Sequence, residues 1–141
     1  MHSINDFSKP QIISLPKINE PNEVMGNLSF VQNSDQIPFD IKRVFWIYDV
    51  PGGEIRGGHA FKNQQEIIIA ISGSLDIVVI DPDGNESKFC LNRSYFGLYI
   101  PALHWRHLEN FSTNAVSVHL SNYDFAEEDY IRDYQQFSDL Y

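Results

Sequence analysis

Turn signals recur at roughly 8–12-residue intervals along most of this 141-residue chain, and the runs between them are short, β-branched and aromatic. QIISL (11–15) and GNLSFVQ (26–32) alternate apolar and polar positions, and KRVFWIYDV (42–50) is closed by Pro51-Gly52-Gly53. EIIIAISG (66–73) and SLDIVVID (74–81) are continuous apolar runs; the second stops at Pro82-Asp83-Gly84-Asn85. ESKFCLN (86–92), FGLYIP (96–101) and NAVSVHLSN (114–122) complete the series. Such a rhythm predicts an all-β fold, a small antiparallel β-barrel or jelly roll. Residues 1–141 read as one domain, with 1–25 as an N-terminal strand or arm. FAEEDYIRDYQQF (125–137) is the exception to the strand pattern. Its acidic residues cluster at the front, and Tyr130, Ile131, Tyr134 and Phe137 share a helical face, which predicts a short C-terminal helix.

Charge narrows the function. A formal net charge of −9 argues against nucleic acid as partner, because phosphate contacts need clustered Lys and Arg. A few arginines inside a pocket still suffice for a diphosphate. No apolar run reaches the ~18–20 residues that cross a bilayer. The start, MHSINDFSKP, lacks the basic-then-apolar order of a signal peptide, so the expected location is the cytoplasm. Cys90 is the only cysteine, and between Phe89 and Leu91 it reads as a packing residue.

The central block carries a countable spacing. Gly53, five residues, His59, one residue, Phe61, four residues, Glu66, six residues and Gly73 resemble the first conserved motif of the cupin barrels. The second motif of those barrels falls on Pro101, Leu103, Arg106 and Asn110. Two of the four residues that hold a metal in such barrels are therefore replaced, by Phe61 and Arg106. Phe61 has no lone pair, and a guanidinium repels a cation, so no metal is expected. His107 is one residue out of register and should face the other side of its strand.

A lone imidazole in a barrel interior suits acid/base work, since its pKa lies near working pH. The alternative for His59 is a structural histidine bonded to a polar neighbour. His59 and Phe61 share strand parity and should face the barrel centre together. Glu66 is the other inward candidate, either in the pocket or in a salt bridge with Arg56 or Arg106. Trp46 and Trp105 suit stacking on a base or sugar, or simple core packing.

At this point the chain resembles a known family, the dTDP-4-oxo-6-deoxyglucose 3,4-ketoisomerases, or WxcM-like sugar isomerases, of the cupin superfamily. The likeness runs through GNLSF (26–30), IPFDIKRVFWIYDVPGGEIRGGHAFK (37–62), IIIAISGSLDIVV (67–79), GLYIP (97–101), WRHLENFSTNAV (105–116) and EEDYIRDYQQF (127–137). RGGHA and EDYIRDY are its most specific pieces. The resemblance implies a cofactor-free, metal-independent isomerase that converts a dTDP-4-oxo-6-deoxyhexose to the 3-oxo isomer through an enediol. It implies a place in deoxyaminosugar and surface-polysaccharide synthesis, and a homodimer exchanging N-terminal strands. The family usually reads HAHK where this chain has HAFK, with both histidines in the active site.

Carried over residue by residue, His59 is the acid/base and Phe61 an apolar pocket wall in place of the second imidazole. Tyr48 and Tyr99 are candidates to handle the sugar oxygens, with Tyr48 as the catalytic choice. Arg56, Arg106 and Arg43 are candidates for the diphosphate, and Trp105, Tyr99 and Glu66 for further substrate contacts. Two readings from other classes stay open: a sugar-nucleotide or carbohydrate binding module that kept the pocket and lost catalysis, and a metal-dependent cupin dioxygenase, which Phe61 and Arg106 disfavour.

Overall fold

The computed structural model describes residues 6–33 and 35–140. Its strands are β1 (Gln11–Ser14), β2 (Arg43–Ile47), β3 (Arg56–Phe61), β4 (Glu66–Ser72), β5 (Leu75–Ile80), β6 (Glu86–Leu91), β7 (Phe96–Ile100), β8 (Trp105–Glu109), β9 (Val116–Ser121) and β10 (Tyr130–Ile131). One helix, α1 (Tyr134–Ser138), follows. The strands form two five-stranded sheets, in the orders β1-β7-β4-β9-β2 and β10-β3-β8-β5-β6, and every pair is antiparallel. Among the described residues no hydrogen-bonded pair joins the sheets. The expected cupin-like architecture is therefore present as two facing sheets, not as a closed barrel.

Period-two alternation decides what lies between them. Ile68 and Ala70 of β4, Leu98 and Ile100 of β7, Ile77 and Val79 of β5 and Leu108 of β8 meet in one buried cluster. The opposite parity of β4 and β7, with Ile67, Ile69 and Tyr99, packs outward under Ile13, Leu15, Ile37 and Phe39. On the far side of the second sheet, Ala60 and Trp105 lie under Ile131 and Phe137. Gly73, at φ +69°, makes the β4–β5 turn, and a Cβ there would stand 2.4 Å from Ser112 Oγ.

Several expectations need correction. Residues 26–32 form no strand: Leu28 pairs only with Ile18, in an isolated bridge, and is 57% exposed. Alternation without a partner strand and a face to bury does not make a sheet. The segment 125–137 is not one helix. A 3-10 turn (Glu127–Asp129) leads into β10, where Tyr130 and Ile131 pair with Phe61 and Ala60, and only Tyr134–Ser138 is helical. The buried Asp129 carboxylate explains why: it accepts hydrogen bonds from the backbone N–H groups of Asn63 (2.8 Å) and Gln64 (3.1 Å), tying this segment to the β3–β4 turn. Cys90 is exposed on β6, where Leu91 takes the inward position; burial and the neighbouring Asp76 push its thiol pKa up. Strand β1 pairs with β7 of its own chain. Among the described residues no helix is long and apolar enough to cross a membrane.

Candidate active site

The two sheets separate at one end around a cavity of ≈ 450 Å³. The RGGH sequence shapes its wall. Arg56 pairs with Leu108 and His59 with Arg106, so three steps along β3 answer two along β8. The extra residue is a β-bulge at Gly57 and Gly58, whose φ angles are +106° and +21°. Without it, residues 56 and 59 would face opposite ways; with it, both line the cavity. A Cβ on Gly57 would stand 3.3 Å from the His107 backbone, so the bulge favours glycine twice over.

His59 Nδ1 is hydrogen-bonded to the Gly57 carbonyl oxygen. A carbonyl only accepts, so Nδ1 carries the proton and Nε2 keeps its lone pair. Burial, and next the Arg106 charge, push the His59 pKa down to about 4, so the ring is neutral near pH 7. Phe61 meets it edge-on, with centroids 4.7 Å apart, and Tyr130 stands 5.2 Å from it. The arginine of the second motif, Arg106, is fully buried. Its guanidinium lies 5.0 Å over the Phe61 ring and bonds Glu66 Oε1 at 2.7 Å. Burial alone raises the Glu66 carboxyl, but His119 and Arg106 outweigh it and hold the pKa at about 2.

His59, Phe61, Glu66 and Arg106, the four positions of the cupin spacing, thus converge in space. They do not suit a metal ion. Phe61 offers no ligand atom, and the Glu66 carboxylate is already matched by a permanent cation. Among the described residues no group of three or more His, Cys, Asp or Glu is placed to hold one. His107 faces away as expected, 3.9 Å from Glu109.

Other expected residues divide. Arg43 and Arg56 line the cavity, with Arg43 Nη2 donating to Gln64 Oε1 at 2.6 Å. Tyr48 does not line it; it lies beyond the end of β2 and is 60% exposed. Tyr99 is buried on the outer face of the first sheet, donating its hydroxyl to Gln65 Oε1 at 2.6 Å, and burial pushes its pKa up to about 12. Trp105 packs on the outer face of the second sheet, edge-on to Tyr134 at 5.3 Å. Odd positions of β8 face outward and even ones inward, so Trp105 and Arg106 cannot share the cavity.

Among the polar wall residues, His119, Tyr130 and Arg132 are not site candidates in the sequence. His119, on β9, is buried with Nδ1 3.7 Å from Glu66 Oε2 and its ring stacked on Phe45 at 4.5 Å. The signal was present in VSVHLS, where polar residues take the buried parity: Ser117, His119 and Ser121. Tyr130 and Arg132, whose guanidinium lies 4.0 Å over the Tyr130 ring, reach the cavity because β10 is a strand.

Residues 8–141 match the family described as FdtA: WxcM-like, C-terminal. A curated relative, the TDP-4-oxo-6-deoxy-alpha-D-glucose-3,4-oxoisomerase of Aneurinibacillus thermoaerophilus, is 34% identical over 113 residues, 79% of this chain and 80% of its own. Among solved structures, QdtA, a sugar 3,4-ketoisomerase from Thermoanaerobacterium thermosaccharolyticum in complex with TDP, is similar with a TM-score of 0.87 and 34% identity, covering 93% of each chain. WlaRB, a TDP-quinovose 3,4-ketoisomerase from Campylobacter jejuni, has a TM-score of 0.85 and 38% identity over 92% of this chain and 97% of its own.

Proposed function

The chain belongs to the FdtA family, and from that membership and its cavity we propose that it is a TDP-sugar 3,4-ketoisomerase. The substrate is a TDP-4-oxo-6-deoxyhexose and the product its 3-oxo isomer. The observation that carries the chemistry is His59: a neutral imidazole with a fixed tautomer and a free Nε2, on the wall of a cavity that Arg43, Arg56 and Arg132 also line. Arg43 and Arg56 supply donors for the diphosphate, while the Arg132 fork is held by the Glu127 carboxylate. His59 Nε2 takes the proton from C3, the electron pair moves onto the C4 oxygen, and an enediolate forms. The O3 hydroxyl proton passes to O4, the His59 imidazolium exchanges its Nε2 proton with solvent and delivers a proton to C4, and C3 is left as the oxo carbon. No electrons are gained or lost overall. The paired Glu66 and Arg106 make the reaction metal-independent, and Phe61 keeps the wall beside His59 apolar.

Incubating the protein with TDP-4-oxo-6-deoxyglucose and identifying the product by NMR tests this reading. A 3-oxo sugar, with deuterium from solvent at the former oxo carbon, is the expected result. TDP binding without turnover would instead identify a binding module.

The finer assignments belong to the same proposal. The enzyme is cytoplasmic and feeds deoxyaminosugar and surface-polysaccharide synthesis. It works as a homodimer through the outer face of the first sheet, where Val44 of β2 and Ile71 of β4 are 49% and 51% exposed, together with the short edge strand β1. Exchange of β1 between protomers would leave its pairing with β7 intact while joining two chains. Light scattering at micromolar concentration should give twice the chain mass; a monomer rejects the dimer.

A further inference from the structure

Among the described residues, three buried side-chain nitrogens have no hydrogen-bond partner: Arg43 Nε, Arg106 Nη2 and His119 Nδ1. All three residues line the active-site cavity. An unpaired buried donor is costly, so three on one wall need a reason. Two of them flank a single carboxylate. Arg106 bonds Glu66 Oε1 through Nη1 and leaves Nη2 over, while His119 Nδ1 stands 3.7 Å from Glu66 Oε2, beyond hydrogen-bond reach.

The tautomer of His119 follows from its neighbours. Nδ1 faces an ionised carboxylate, which tolerates a proton there and disfavours a lone pair. Nε2 is 2.9 Å from Ser117 Oγ, whose hydroxyl can donate to it. Nδ1 is therefore an N–H, and both atoms beside Glu66 are donors awaiting an acceptor. Both atoms are buried, so bulk water does not satisfy them.

We propose that His119 Nδ1 and Arg106 Nη2 form an oxyanion pocket for the enediolate, receiving the sugar oxygen that becomes negative when His59 takes the C3 proton. This deepens the ketoisomerase reading and rests on it. His59 pairs with Arg106 across β3 and β8, so the base and this donor stand on adjacent strands. His119 approaches from the other sheet, so it faces His59 and Arg106 across the cavity. Both donors are buried in the free protein, so the pocket requires the Phe45 and Phe61 rings to shift on binding. Oriented donors aimed at developing charge in a water-poor site are where most catalytic stabilisation arises.

The test uses His119, because removing Arg106 would strand Glu66 as a buried charge and unfold the site. His119→Phe keeps the stack on Phe45 and deletes the donor; His119→Asn keeps an N–H near Nδ1. Turnover and C3 deuterium exchange are measured per TDP-binding site, with calorimetry counting the sites. The Phe variant should lose about 10²–10³-fold in kcat, the range for one lost oxyanion donor. Its TDP affinity should stay within a few-fold of the parent, and Asn should recover at least tenfold of the loss. A Phe variant within threefold of the parent per site, or one that loses only sites and not turnover, overturns the assignment. A parent that binds TDP but isomerises no TDP-4-oxo sugar overturns the ketoisomerase reading itself, and this inference with it.

Discussion

The interior between the two sheets has two unlike ends. At one, Ile68, Leu75, Ile77, Leu98 and Leu108 are each no more than 2% exposed and carry no polar side-chain atom. At the other, Glu66, Arg106 and His119 are buried just as deeply, and they keep donors without partners. The same strands contribute to both: β4 supplies Glu66 and Ile68, β8 supplies Arg106 and Leu108. The difference teaches where stability and chemistry divide. The apolar end gains from every contact it closes. The polar end leaves groups unsatisfied that a substrate can satisfy, at a cost which the apolar end offsets.

Four expected outcomes break or sharpen that division. The largest concerns His59→Asn, which should cut turnover by about 10²–10⁴-fold while leaving the melting temperature nearly unchanged. A large loss of stability with little loss of turnover per folded molecule would make His59 structural. Next comes its counterpart at the apolar end, Leu98→Ala, fully buried in the parent. Urea unfolding should show a loss of about 2–5 kcal/mol, with turnover per folded molecule within a few-fold of the parent. A catalytic collapse in that variant would mean the two ends are not separable.

Phe61→His sits on the boundary. Phe61 is 1% exposed and flanked by both His59 and Arg106, so the variant loses a cation–π contact worth about 0.5–2 kcal/mol. It should still fold and should change either the rate or the C4 configuration of the product, read by NMR. Unfolding without any effect on the residual reaction would reduce Phe61 to packing.

The smallest effect is pH dependence. His59 and Glu66 both have folded pKa values below their unfolded ones, so the unfolded chain binds more protons on acidification. The His59 contribution is whole above about 6.5 and is lost as pH falls toward about 4. That of Glu66 is whole above about 4.5 and is lost toward about 2. Melting temperature should therefore fall between pH 6.5 and 4, and less steeply in His59→Asn. Burial of His104 lowers its pKa too, so some slope persists in the variant. Equal slopes in parent and variant would contradict the assigned environment of His59.

Long apolar runs were the most legible part of the sequence. EIIIAISG and SLDIVVID became β4 and β5 within a residue or two, because burial on a packed face reinforces what propensity favours. GNLSFVQ had the alternation but no partner, and the C-terminal segment was misjudged because its anchor, Asp129 on the Asn63 and Gln64 amides, lies more than sixty residues away in sequence. The same blindness to pairing hid Tyr130 and Arg132. The spacing that resembles the cupin motifs marks His59, Phe61, Glu66 and Arg106, and all four line the cavity. Tyr48, Tyr99 and Trp105 have suitable chemistry, but strand parity or position places each outside the cavity. His119 needed a reversed parity to be noticed, polar inward and apolar outward, in a strand read only for its apolar content.

The Asp129 latch also sets an order of events during synthesis. Residues 129–132, which supply the latch and the Tyr130–Arg132 wall, leave the ribosome after every other part of the cavity has been made. Strands β2 to β9 can pair before then, since chains begin to fold from the N-terminal side as they emerge. For that interval Ala60 and Trp105, on the outer face of the second sheet, stand without the cover of Ile131 and Phe137. A chain cut after residue 125 would therefore keep β1 to β9 while its cavity lacked the wall that Tyr130 and Arg132 supply.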